Sequence, residues 1–103
     1  MSAARVVAEL LQPVEAETPY GGRVVSYAPL GVAWLSTGIA RRRERGEATG
    51  ARVVESLTAE VRVDPRLAEG RVLRFGGGDW EIVSIGARGD RPGRCELRLE
   101  RTR

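Results

Sequence analysis

The stretch Val53 to Ile85, VVESLTAEVRVDPRLAEGRVLRFGGGDWEIVSI, constrains the fold more than any other part of the chain. From Leu57 to Val63 the residues alternate. Leu57, Ala59, Val61 and Val63 point one way and Thr58, Glu60 and Arg62 the other, the period of two of a strand buried on one face. Asp64 and Pro65 stop it, because proline cannot donate to a ladder and aspartate closes turns readily. Gly70 opens a second extended run, Arg71 to Phe75. The glycines Gly76, Gly77 and Gly78 then allow the positive dihedrals of a tight reversal before Trp80 to Ile85 returns. Three successive strands are the smallest set that makes a self-supporting sheet.

The flanking segments read the same way. Arg5 to Gln12 is an extended run ended by Pro13; a helix over Ala3 to Leu11 also fits, but the early proline favours a strand. The acidic segment Val14 to Tyr20, with Glu15 and Glu17, leads to the hairpin signal Gly21 and Gly22, and Arg23 to Tyr27 is the return strand, broken at Pro29. Gly31 to Ile39 forms a third strand, with Val32 and Trp34 on one side and Ala33, Leu35, Thr37 and Ile39 on the other. Both sides are partly apolar, and Trp34, like Trp80, reads as a core or interface anchor. Ala40 to Arg52, ARRRERGEATGAR, interrupts the β pattern. Its cluster Arg41, Arg42, Arg43 and Arg45, followed by Gly46 and Gly50, reads as a long charged loop or a short frayed helix. After the central strands, the charged turn Ala87 to Pro92 holds Arg88, Asp90 and Arg91. The last strand, Gly93 to Arg101, alternates inward Cys95, Leu97 and Leu99 with charged residues, so Cys95 reads as a small buried hydrophobe.

With 103 residues, the chain reads as one domain with room for one core. Its N-terminal apolar run is too short for a signal peptide, nothing later spans a membrane, and the expectation is a soluble protein made inside the cell. One cysteine and no histidine exclude an internal disulfide and remove the commonest metal ligand and general base. No cofactor and no catalytic constellation are expected. The triple glycine is followed by no helix and no Lys-Ser/Thr pair, so it is a turn and not a phosphate loop. All 17 basic residues are arginine, against 14 acidic ones, for a formal charge of +3. Arginine suits phosphate or an acidic protein partner, although a chain without lysine or asparagine is also what a GC-rich coding sequence yields. The turn spacing and the scarcity of helical periodicity predict a mainly β domain, a small closed β-barrel of six to seven antiparallel strands with one long loop or short helix.

The basic strand VRV, the proline-led turn, the run EGRVLRFGGGDWEIVSI and the charged closing strand, in this order, resemble the phage head-tail joining family. An N-terminal strand, a Gly-Gly hairpin and a tryptophan-bearing third strand also fall in the order of that family, so the resemblance covers most of the chain. It implies a connector or stopper protein of tailed double-stranded DNA phages or phage-like gene transfer particles. Such a protein assembles in the bacterial cytoplasm as a cyclic ring of six or twelve copies and ends at the head-tail interface of the particle. The implied partners are a portal-bound adaptor ring on the head side, a tail-terminator or tail-tube ring on the tail side, and packaged DNA in the channel. The arginines Arg41, Arg42, Arg43 and Arg45 would then face the DNA. The hairpin tips with Glu15, Glu17 and Tyr20, and with Arg88, Asp90 and Arg91, would dock on neighbouring rings. The other reading of the residues is a small nucleic-acid-binding barrel of the oligonucleotide-binding kind. Against it stands the shortage of stacking side chains, which are only Tyr20, Tyr27, Trp34, Phe75 and Trp80.

Overall fold

The structure is a computed structural model and describes residues 4–47 and 50–102, without the side chains of 44–47, 50–52 and 102. Seven strands make up one antiparallel sheet: β1 (Ala4–Glu17), β2 (Arg23–Thr37), β3 (Arg41–Glu47), β4 (Gly50–Arg62), β5 (Val72–Phe75), β6 (Gly78–Ala87) and β7 (Arg94–Thr102). No helix occurs among the described residues. Neighbours follow the order β2-β1-β5-β6-β7-β4-β3, and an added pairing of β2 with β4 closes six of the strands into a hydrogen-bonded ring. That closure is short, resting on Ser36 opposite Glu60 and Thr37 opposite Ala59.

Inside the ring, inward residues of its six strands meet. Leu10, Leu35, Leu73, Ile82, Leu97 and Leu99 are the largest fully buried side chains, and Leu57, Ala59, Val61 and Cys95 join them. Burying such side chains is worth roughly 1.5 to 3 kcal/mol each, against roughly 1 to 2 kcal/mol to order each residue's backbone, so the ring must share one core to hold. Glycines Gly76 and Gly77, at φ 60° and 76°, form the two-residue turn between Phe75 and its partner Gly78. This is the mirror-image turn whose twist matches antiparallel strands. Gly21, at φ 83°, reverses the first hairpin, where the Thr18 hydroxyl accepts from the Gly22 N–H at 2.9 Å. Pro65 lies in the turn that follows β4, where Asp64 accepts from the Arg66 N–H at 2.8 Å.

Two expectations are corrected. The prolines do not break the first hairpin: β1 runs through Pro13 to Glu17, and β2 is a single strand through Pro29. Past Leu11, β1 pairs only with β2, so the absent N–H of Pro13 costs no second ladder. Pro29 instead adjoins a β-bulge, where the register shifts between Leu10 and Leu11 and Gly31 takes φ 137°. The extra residue is Leu30, in β2, which packs against the core.

Ala40 to Arg52 is likewise neither a long loop nor a helix. Arg41–Glu47 is β3, paired with β4 from Arg41 opposite Ser56 to Glu47 opposite Gly50. Beyond its three-residue link, Gly38 to Ala40, β3 continues the line of β2 along the same edge of β4. Gly46 and Gly50 sit at the tip and not within a loop. The two hairpins therefore project from opposite ends of the ring. They stretch the molecule to 50 × 32 × 23 Å and its radius of gyration to 15.2 Å, against about 13 Å for a compact chain of this length.

Candidate interaction surfaces

The strand pairing splits the arginine cluster. Arg42 lies opposite Glu55 and approaches its carboxylate at 3.8 Å, whereas Arg41 and Arg43 turn to the other face. There they line a cleft of about 820 Å³ with Ile39, Ser56, Thr58 and Arg98. Arg41 and Arg43 make no ion pair among the described residues, and Arg98 has only a half-exposed one with Glu100 at 3.6 Å. Arg45 lies near the hairpin tip, its backbone opposite Arg52.

On the outside of β4, at the opposite end of the strand from Glu55, Glu60 gathers three arginines. Arg91 Nη1 and Arg94 Nε donate to its Oε1 at 2.8 and 3.0 Å, and Arg88 Nη1 to its Oε2 at 3.3 Å. The hydrogen bond from Arg94 and those charges hold the Glu60 carboxyl below the usual carboxylate range against the opposing effect of burial. Arg88 also clasps Asp90 through two nitrogens, at 3.0 and 2.8 Å, and this side-chain hydrogen bonding pulls the Asp90 carboxyl down to about 2. Sequence placed Arg88, Asp90 and Arg91 together on one turn, which they share. It missed Glu60, because nothing in the local pattern shows that the β6–β7 turn folds onto β4.

A second pinned corner lies where the ring closes. Arg66 is oriented by Asp64, with Nη2 at 2.6 Å from Oδ2, and donates onward to the carbonyls of Leu30 and Val32 at 3.2 and 3.3 Å. It occupies backbone acceptors on the free edge of β2. The Arg66 side-chain hydrogen bond lowers the Asp64 carboxyl to about 2.

The two tryptophans part company. Trp80 is buried, stacked on Phe75 with ring centroids 5.9 Å apart, and carries the Arg101 guanidinium 4.5 Å above its ring. Arg101 in turn meets buried Glu55, its direct cross-strand partner, at 3.3 Å. Gly78 makes room for that guanidinium, since a Cβ there would collide with Arg101 Nη1. Its role is space within a strand, not the turn geometry expected of it. Trp34 is 71% exposed, on the outside of β2 opposite Val7, so it is no core anchor. Ile39, expected on the same side of the strand as Leu35, is exposed while Leu35 is buried, because the chain leaves the strand at Gly38.

Of the expected docking tips, Tyr20 is almost wholly exposed, and Glu15 is held only by an exposed ion pair with Arg23 at 3.4 Å. Glu17 ends β1 opposite Arg23. Among the described residues no group of three or more His, Cys, Asp or Glu is placed to hold a metal ion, and no helix is long and apolar enough to cross a membrane. Cys95 is buried, and desolvation pushes its thiol up.

No family model matches the chain, and no curated protein matches it in sequence. Its fold is similar to that of a chain in the solved structure titled "Virion of native gene transfer agent (GTA) particle". The TM-score is 0.71 at 19% identity, over 95% of this chain and 94% of that one. The likeness is one of fold, and it runs almost from end to end of both chains.

Proposed function

We propose that this chain is a structural protein of a phage or phage-like gene transfer particle, and that it forms a ring at the head-tail interface. The ring joins the DNA-filled head to the tail and helps retain the genome. The observation that carries the reading is the near full-length fold likeness to a virion chain. The head-tail position comes from the sequence resemblance. Partners in this reading are other copies of the chain in a ring of six or twelve, an adaptor ring above, a tail-terminator or tail-tube ring below, and packaged duplex DNA.

Two surfaces take parts in it. The Arg88–Gly93 turn, held rigid by Glu60, is a preorganised charged projection suited to docking on a stacked ring. The β3–β4 hairpin brings positive charge toward the channel. Because Arg42 is engaged by Glu55 and Arg41 and Arg43 line the cleft, the DNA-facing part narrows to the tip around Arg45. Ring symmetry repeats that charge around the duplex.

Electron microscopy of particles made without this protein tests the assignment. Separate filled or leaking heads beside free tails are expected, and intact tailed particles would refute it. Arg45→Ala should lower the DNA content of joined particles, and unchanged content removes the channel role. The second reading, a barrel that binds nucleic acid as a monomer, is favoured by the cleft residues Arg41 and Arg43, which make no ion pair among the described residues. Salt-sensitive binding of oligonucleotide by the isolated monomer would select it.

A further inference from the structure

Among the described residues, the outer half of the β1–β2 hairpin is an arm with no third strand beside it, touched at its root where Arg71 donates to Gln12 at 2.8 Å and the Arg74 guanidinium lies 5.4 Å from the Tyr27 ring centroid. Beyond Leu11 and Pro29 it has only its own two strands. Cross-strand pairing puts Tyr27 and Val25 on one broad face and Val14 and Val24 on the other, and all four are about half exposed. A two-stranded hairpin is marginal alone, and apolar side chains on both faces of one are covered in any stable setting. The tip adds Glu15, Glu17 and Tyr20.

The cleft beside β3 has the opposite character. Arg41, Arg43 and Arg98 supply positive charge, two of them without an ion partner among the described residues, and Ile39 and Ile85 supply exposed apolar surface. In the ring order β1-β5-β6-β7-β4-β2, strand β7 stands directly across from β1. The arm and the cleft are thus on opposite sides of one molecule. A protein with complementary patches on opposite sides joins head to tail, and such contacts generate rings when the rotation closes.

We propose that the arm of one copy seats in the cleft of the next, with Glu15 and Glu17 on Arg41, Arg43 and Arg98, and Val25, which shares their face, and Tyr20 of the tip against Ile39 and Ile85. The proposal rests on the ring reading and names the contact that builds the ring. A second copy fits this cleft better than a nucleic-acid backbone does. Phosphates have no use for the two isoleucines, which the apolar residues of the arm can cover. The ion pairs already on both surfaces are exposed and cost little to exchange.

Multimer size against concentration, read by mass photometry and analytical ultracentrifugation, tests the contact. Glu15→Arg with Glu17→Arg on the arm, or Arg41→Glu with Arg43→Glu in the cleft, should each raise the assembly midpoint at least tenfold while leaving the far-ultraviolet spectrum unchanged. Equimolar mixing of the two should restore multimers of alternating composition, since each arm then meets a cleft of opposite charge, and all four changes in one chain should restore multimers as well. In a separate chain, Glu17→Cys with Arg43→Cys should give a ladder of disulfide-linked multimers on oxidation, and neither single change should; Cys95 is buried and stays out of it. Multimers that survive both charge reversals and give no ladder overturn the arm contact and leave the ring reading standing. A native chain that stays monomeric at every concentration overturns both. Reversal in the cleft that leaves assembly intact but abolishes binding of a short DNA duplex overturns the contact and makes the cleft a nucleic-acid site.

Discussion

Replacing each tryptophan by alanine separates two side chains that the sequence cannot tell apart. Trp80 is 4% exposed and Trp34 71%. An aromatic side chain of this size buries roughly 200 Å², which at about 25 cal/mol per Å² is about 5 kcal/mol of transfer free energy. Truncation of a buried tryptophan generally costs about 3 to 5 kcal/mol. At Trp80 the loss falls near the upper end, because Phe75 loses its stacking partner and the Arg101 guanidinium loses the ring beneath it. A domain of this length is stable by roughly 5 to 15 kcal/mol, so the variant gives up a large share of its stability. The melting temperature should drop by about 15 °C or more, at roughly 4 to 8 °C per kcal/mol. Trp34→Ala, removing a side chain with water on most of its surface, should stay within about 0.5 kcal/mol of the parent. The assay is urea and thermal unfolding by circular dichroism at a concentration below the assembly midpoint, so that contacts between copies do not contribute. Equal losses at the two positions would refute the assignment of inside and outside, and with it the register of β2 against β1.

Three further outcomes follow from the same geometry. Gly78→Ala should destabilise by about 1 to 3 kcal/mol in urea unfolding by displacing Arg101 from Glu55 and Trp80, and the same change made in an Arg101→Met chain, which has no guanidinium to displace, should cost much less. Asp64 and Asp90 titrate near 2 when folded and near 3.8 when free, so their contribution is complete above about 4 and disappears as pH falls through 2; the melting temperature should decline over that window, less steeply in Asp64→Asn. Cys95 should resist a thiol reagent at neutral pH until the chain is unfolded, since the thiol is both buried and held protonated by desolvation; reaction at the rate of a free cysteine would place it at the surface.

Alternation made most of the fold legible. Leu57, Ala59 and Val61 in β4 and Cys95, Leu97 and Leu99 in β7 are inward where the period of two put them, and the Gly76–Gly77 turn is where the glycines mark it. The expected all-β closed architecture is present. What local pattern could not carry was the meaning of punctuation. Proline and glycine at Pro29 and Gly31 have the same residue preferences whether they end a strand or make a bulge within it, and only the partner strand decides. Similarly, RRRERGE has poor strand propensity. It becomes a strand because β4 runs past the end of β2 and leaves ladder groups for it to pair with.

The same limit governed the sites. Period two reports that Trp34 and Leu35 face opposite ways but not which way is in, because both faces of β2 carry apolar residues. Closure of the ring settles it: Ala33, Leu35 and Thr37 are buried on the inner side, and Val32 and Trp34 are exposed on the outer one. The arginines show the converse. As a run they read as one feature, yet in a strand neighbours at odd spacing part, and Arg42 goes to a buried carboxylate while Arg41 and Arg43 go to a cleft. A charge cluster in a β protein is therefore two half-clusters on two surfaces. A substitution that removes the whole run mixes the loss of a fold contact at Glu55 with the loss of a binding surface, and only changes confined to Arg41 and Arg43 leave the first intact.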